Sequence, residues 1–127
     1  MHDIELTEEQ RMIRDMARDF ARSEVAPHAQ AWEKAGWIDD AVVAQMGELG
    51  LFGLPFPEEY GGQGGDYFAL CLAIEALGRV DQSLAITLEA GVSLGAMPVF
   101  RFGTEAQKQE LLPELLSARA LAGFYRT

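Results

Sequence analysis

The stretch LTEEQRMIRDMARDFARSEV, residues 6–25, decides the fold class. Thr7 followed three residues later by Gln10 has the spacing of a capping box, in which each side chain satisfies the other's free backbone N–H. Glu8 and Glu9 set negative charge against the positive end of a helix dipole. Met12, Ile13, Met16, Ala17, Phe20 and Ala21 then recur at intervals of three and four, one apolar stripe at helical period. Pro27 kinks this helix or ends its first part, and Trp32 marks its resumption.

The same signals repeat outward. A second helix reads from Asp40 to Leu49, with Val42, Val43, Met46 and Leu49 on one face and Gly50 as its left-handed stop. Residues 51–67, LFGLPFPEEYGGQGGDY, hold five glycines and two prolines and read as a loop. A third helix covers Asp66 to Leu77, closed by Gly78, and a fourth runs from Gln82 to about Gly95, with Pro98 and Gly103 as breaks. In GTEAQKQELLPELL, residues 103–116, Thr104 and Gln107 repeat the capping box. No alternating strand pattern appears. The expected fold is all-α, a bundle of about five or six helices.

A chain of 127 residues is long enough for one core, and 49% hydrophobic with 24% charged residues is the composition of a folded domain. A formal net charge of −10 argues against nucleic acid and anionic membrane surfaces as partners. The lone Cys71 excludes an internal disulfide and fits a reducing compartment. MHDIELTEEQ is polar where a signal peptide would be apolar, and no run approaches the roughly 18 apolar residues of a spanning helix. The expectation is a cytoplasmic domain without membrane insertion.

No catalytic constellation assembles from the residues themselves. GGQGGD, residues 61–66, lacks the preceding strand and the Lys-Ser/Thr of a phosphate loop. Its G-x-G-x-x-G spacing fails at Tyr67, so it reads as a turn needing positive φ. Asp39 with Asp40, and Glu58 with Glu59, sit at helix starts or in loops as caps and solvated charge. His2 and His28 have no ligand partners at metal spacing. Cys71, on an apolar helix without a neighbouring His or Lys, reads as a buried structural thiol.

Three stretches carry a resemblance. LTEEQRMIRDMARDFARSEVAPHAQAWEKAG, residues 6–36, resembles the first helix of the acyl-CoA dehydrogenase family. MGELGLFGLPFPEEYGGQGGD, residues 46–66, is similar to that family's second helix and its Pro-Glu-Glu-Tyr-Gly-Gly loop. ITLEAGVSLGAMPVFRFGTEAQKQELLPELLSARALAGF, residues 86–124, is similar to the stretch leading out of the family's N-terminal helical domain. The three stand in order and in register over essentially the whole chain.

The resemblance implies residues 1–120 as that helical domain and 121–127, LAGFYRT, as the lead-in to a β-barrel domain whose first strand carries a Thr-Glu-Pro motif. On this expectation the chain is one third of an enzyme. The family's reaction removes an α-proton of an acyl thioester with a glutamate base and passes the β-hydride to FAD. The base and most FAD contacts lie in the family's other domains, so the resemblance places no catalytic residue here.

It does place two smaller sets. Thr87, Ala90 and Leu94, spaced i, i+3, i+7, match the helix face that lines the far end of the acyl-chain cavity, a spacing that fits plain core packing as well. Phe124, Arg126 and Thr127 match the segment that touches the flavin, although Arg126 replaces a usually small or apolar residue. The implied partners are an acyl-CoA or acyl-carrier-protein thioester, an electron-transfer flavoprotein as acceptor, and further copies in a homo-oligomer. A stand-alone helical interaction module that kept the fold without the chemistry stands as the alternative. With the other domains absent, Leu84, Leu88, Leu94, Phe100, Leu121 and Phe124 are expected to form a bare apolar patch.

Overall fold

Each helix begins on a side-chain cap that the sequence spells out, or resumes after a turn. A computed structural model describes residues 5–123, and their regular structure is helical, with no strand among the described residues. Thr7 Oγ accepts the Gln10 N–H at 3.1 Å while Gln10 Oε1 accepts the Thr7 N–H at 3.0 Å, opening α1 (Glu8–Phe20). After a turn at Pro27, α2 (Ala29–Ala35) runs to Gly36, whose φ of 83° stops it. The Asp39 carboxylate caps α3 (Asp40–Glu48), which stops at Gly50 with φ 78°. Asp66 and Asp81 cap α4 (Tyr67–Gly78) and α5 (Gln82–Glu89) in the same way. A second reciprocal pair, Thr104 with Gln107, opens α7 (Glu105–Leu116).

Two prolines are met by the same device. In α1 the chain widens into a π-helical turn at Ala21–Val25, and the Ala26 N–H donates to Ala21 O, five residues back, just before Pro27. In the second case α5 widens at Ala90–Ala96, the Met97 N–H donates to Val92 O, and Pro98 follows inside α6 (Met97–Phe102). A proline lacks the N–H for the ordinary bond and its ring crowds the carbonyl four residues back, so a wider turn relieves both conflicts. After Pro27 the helix ends. After Pro98 it continues, and α5, the π turn and α6 form one rod, Gln82–Phe102.

That rod corrects three sequence expectations. Pro98 is not a break. The 21-residue rod is long and apolar enough by composition to cross a membrane, which the reading that broke it at Pro98 missed. Leu84 and Leu88, expected to be bare, are fully buried with Val92 and Ala96 against the rest of the core. Phe100 is half-buried, edge-on to Phe56 and Tyr60 at centroid distances of 5.7 and 6.1 Å. Of the expected patch only Leu94 and Leu121 are exposed, and Phe124 lies outside the described residues. Taking α1 with its π turn, and Gln82–Phe102, as single rods gives six helices among the described residues.

On α4, Leu70, Ala73 and Leu77 face the core at helical spacing, which turns Cys71 outward; the thiol is exposed rather than buried. Gly78 is the last residue of α4 rather than a left-handed stop, and the chain turns after it through the Asp81 N–H donating to Leu77 O at 2.8 Å.

The glycine-rich loop closes on itself. Backbone N–H groups of Gly62, Gln63, Gly64 and Gly65 donate to the carbonyls of Pro57, Gly53, Phe56 and Leu54 at 2.8–3.0 Å. Gly61 and Gly64 take positive φ, as the turn reading requires. Gly62 lies so close to Phe56 O that a Cβ would overlap it. The loop is pinned to α7 by Tyr60, whose buried ring ends in a hydroxyl that donates to the Glu105 carboxylate at 2.9 and 3.0 Å. That bond, chiefly, pushes the Tyr60 hydroxyl up to about 12. Hydrogen bonds from Gln109, then from Tyr60, hold Glu105 below the usual carboxylate range.

Two outcomes follow. Gly62→Ala is expected to cost about 1–3 kcal/mol in urea unfolding, because backbone must move to admit the methyl group; no loss would show that the loop is slack. The raised Tyr60 value makes its contribution complete below pH 10 and lost as pH climbs toward 12, whereas the lowered Glu105 value makes its share complete above about pH 4.5 and lost below it. The difference in melting temperature between the parent chain and Tyr60→Phe should therefore narrow at both extremes; a constant difference from pH 4 to 11 would contradict the pairing.

Candidate functional site

The rod's exposed side, where it meets α2, α3 and the segment after α7, holds a cleft of about 490 Å³. Its walls come from local rules already at work. Gly36 ends α2 and throws Trp37 outward, 74% exposed, while Trp32 on the last turns of α2 stays half-buried with His28 stacked on it at 5.7 Å. Ile38 and Val43 pack down onto the core. Asp81, required as the α5 cap, accepts the Leu84 N–H at 2.9 Å and leaves its carboxylate at the rim. One turn into α5, Thr87 faces the cleft, its hydroxyl donating to Ser83 O at 2.9 Å. Leu121 closes the far side.

Gly95 decides where Leu121 sits. A Cβ at Gly95 would lie 2.7 Å from Ala122 Cβ, so the missing side chain lets residues 121–123 cross directly over the rod. Gly47 does the same for the end of α7, lying against Ser117 O with no room for a methyl group.

Of the acyl-chain set, the structure brings Thr87 into this cleft. Ala90, half-buried, and Leu94, 46% exposed, lie farther along the same rod, and the π turn at Ala90–Ala96 shifts Leu94 from the register that an unbroken α-helix would give it. The flavin set Phe124, Arg126 and Thr127 lies outside the described residues. Sequence reasoning missed Trp32, Trp37, Glu33, Asp40 and Asp81 as neighbours of Thr87. They come from three separate elements, and no spacing signal joins them.

The cleft is acidic. Glu33, Asp40 and Asp81 line it, no Lys, Arg or His does, and among the described residues none of the three carboxylates has a cation within ion-pairing distance. A second, shallower cleft gathers Arg18, Arg22 and Arg79 over Ala21, Ala26 and Ala76. Neither fits FAD. The acids of the first would repel the diphosphate, and the second, although its arginines could meet phosphate, offers no aromatic face to the isoalloxazine.

Comparison with known proteins places this geometry. The family described as Acyl-CoA dehydrogenase, N-terminal domain, matches over residues 7–119. A probable acyl-CoA dehydrogenase of Bacillus subtilis, YngJ, is 49% identical over 122 residues, covering 96% of this chain and 32% of its own length. Among solved structures, a chain from work on the electron transferring flavoprotein of Acidaminococcus fermentans superposes with TM-score 0.90 at 45% identity, over 94% of this chain and 32% of that one. A glutaryl-coenzyme A dehydrogenase bound to glutaryl-CoA gives TM-score 0.91 at 33% identity, over 95% and 31%. An acyl-CoA dehydrogenase of Bacillus anthracis complexed with FAD gives 0.82 at 34%, over 93% and 21%. The chain spans about a third of the length of the relatives it matches first.

The cleft rim can be tested through its cap. Asp81→Ala is expected to cost about 1 kcal/mol in chemical denaturation and Asp81→Asn only a few tenths, since asparagine caps as well as aspartate. Equal losses in the two variants would show that the charge, not the acceptor oxygen, holds α5.

Proposed function

The chain belongs to the acyl-CoA dehydrogenase family as its N-terminal helical domain, and from that premise we propose that it serves the α,β-dehydrogenation of an acyl thioester. The observation that carries this reading is the family match over residues 7–119, which spans the rod that carries Thr87. In this reading residues 1–120 form the helical domain and 121–127 lead toward a β-barrel domain. Thr87, Ala90 and Leu94 form a wall of the acyl-chain pocket, where the small side chain of Ala90 leaves room for the chain, while the space at Gly91 is taken by Phe52. Phe124, Arg126 and Thr127 form the edge of the flavin site, and the remaining contacts to FAD, together with the catalytic base, belong to sequence outside this chain. FAD is the oxidant that the reaction requires.

The substrate is a thioester of coenzyme A or of an acyl-carrier protein, and an electron-transfer flavoprotein takes the electrons onward. The working assembly is a homo-oligomer in the cytoplasm, without nucleic-acid partners. The apolar rod is not inserted in a membrane: its Leu84, Leu88, Val92 and Ala96 are already buried in the domain's own core.

The pure 127-residue chain is expected to be colourless and to reduce no dye with a panel of acyl-CoA substrates, while the complete dehydrogenase carrying it is yellow and active. Flavin absorbance retained through gel filtration, or dye reduction by the 127-residue chain, would overturn the division of labour. A complete protein that neither binds FAD nor oxidises any acyl thioester would overturn the reading as a whole.

A further inference from the structure

We infer that residues 117–123, the segment after α7, form a strap that opens and closes one side of the cleft beside Thr87 while the helices stay folded, a motion that does not depend on the dehydrogenase reading. The strap begins on a strained turn. Ala118 has φ 60°, the single non-glycine residue with positive φ among the described residues. For a residue with a side chain this left-handed conformation is disfavoured roughly tenfold, so it persists only while its surroundings hold it. Gly47 supplies part of that hold, since its missing side chain leaves the space that the Ala118 methyl group and Ser117 O occupy.

Beyond the turn the anchorage thins. The Ala118 and Ala120 N–H groups donate back to Leu115 O and Glu114 O, each at 3.2 Å. Arg119 pairs with Glu114 at 3.0 Å, an exposed ion pair that contributes little. These bonds all tie the strap to α7, and none joins it to the rod among the described residues. Its crossing of the rod rests on the contact of Ala122 with Gly95, and Leu121, 53% exposed, gains only part of what a buried leucine would. A segment with a strained turn, few bonds and half-buried side chains opens locally far more often than the core it lies on. Val92, Ala96, Leu112 and Leu116 are buried in that core, so the rod and α7 stay together when the strap lifts. What opens is the side of the cleft that Leu121 lines, across from Trp32 and Val43.

Amide hydrogen exchange of the full 127-residue chain tests this. The Ala120 N–H is expected to exchange at least roughly 100-fold faster than the core amides of α7. The chain's two tryptophans, Trp32 and Trp37, both line the cleft, so in a Trp37→Phe background the fluorescence of Trp32 reports on it alone. Two further variants should move both readouts in opposite directions. Gly95→Ala pushes Ala122 off the rod, so exchange at Ala120 rises about tenfold and acrylamide quenches Trp32 more strongly. Ala118→Gly removes the strain of the closed turn and adds no atom, so exchange at Ala120 slows severalfold and quenching weakens. The second variant also carries the test where Gly95→Ala does not fold. Exchange at Ala120 as slow as in α7, or Trp32 quenching that Ala118→Gly leaves unmoved, would overturn the strap. So would a folded Gly95→Ala variant in which the α7 amides lose as much protection as Ala120, because Gly95 would then be a packing contact of the core.

Discussion

Pro98 inside the central rod is the constraint on which the rest of the structure depends. An α-helix interrupted there would end the central rod short of Phe100, and the Phe100 ring would lose its place edge-on to Phe56 and Tyr60. The π turn at Ala90–Ala96 absorbs the proline by giving the Met97 N–H a partner five residues back. The rod therefore reaches Phe102 and offers one continuous buried stripe to α4, α7 and the glycine-rich loop. Pro27 is met by an identical turn, yet there the helix stops, because Ala26 to His28 turn away to start α2. Pro113 sits in α7 without a π turn, so the device is a local solution and not a rule of the chain.

Small residues then decide what may cross the rod. Gly91 lies under Phe52, where a Cβ would come within 2.8 Å of the ring, and Gly95 lies under Ala122. Both glycines fall within the π turn, so the widened backbone and the close approaches occur in the same seven residues. The first approach ties the rod to the loop and the second seats residues 121–123. The cleft beside Thr87 exists because these crossings leave the first turns of α5 uncovered while closing its far side with Leu121.

The parts of this structure that are legible in the sequence are those fixed within four residues. Thr7 with Gln10, Thr104 with Gln107, and Gly50 as a stop each follow from one local hydrogen bond or one dihedral angle. Gly50 and Gly78 look alike in sequence and differ in the fold, since only the first takes positive φ. Pro98 reads as a break because the remedy, a changed hydrogen-bond register, leaves no mark in composition. Cys71, Leu84 and Leu88 were misplaced for a shared reason: α4 and α5 are apolar on more than one face, so periodicity alone does not say which face a neighbour covers. Of the candidate site, Thr87 was legible through family resemblance. Trp32, Glu33, Asp40 and Asp81 were not, because only tertiary packing brings α2, α3 and α5 together.

The charge of the cleft grows out of what the helix starts require. Asp81 must present an acceptor oxygen to the Leu84 N–H, and Asp40 favours the start of α3 by setting a negative charge at the positive end of its dipole. Helices α3 and α5 both begin at the rim, so Asp40 in the first turn of α3 and Asp81, the cap of α5, line the same cleft, and Glu33 joins them from α2. Asparagine would cap α5 about as well, so the fold asks for the oxygen and leaves the charge undetermined.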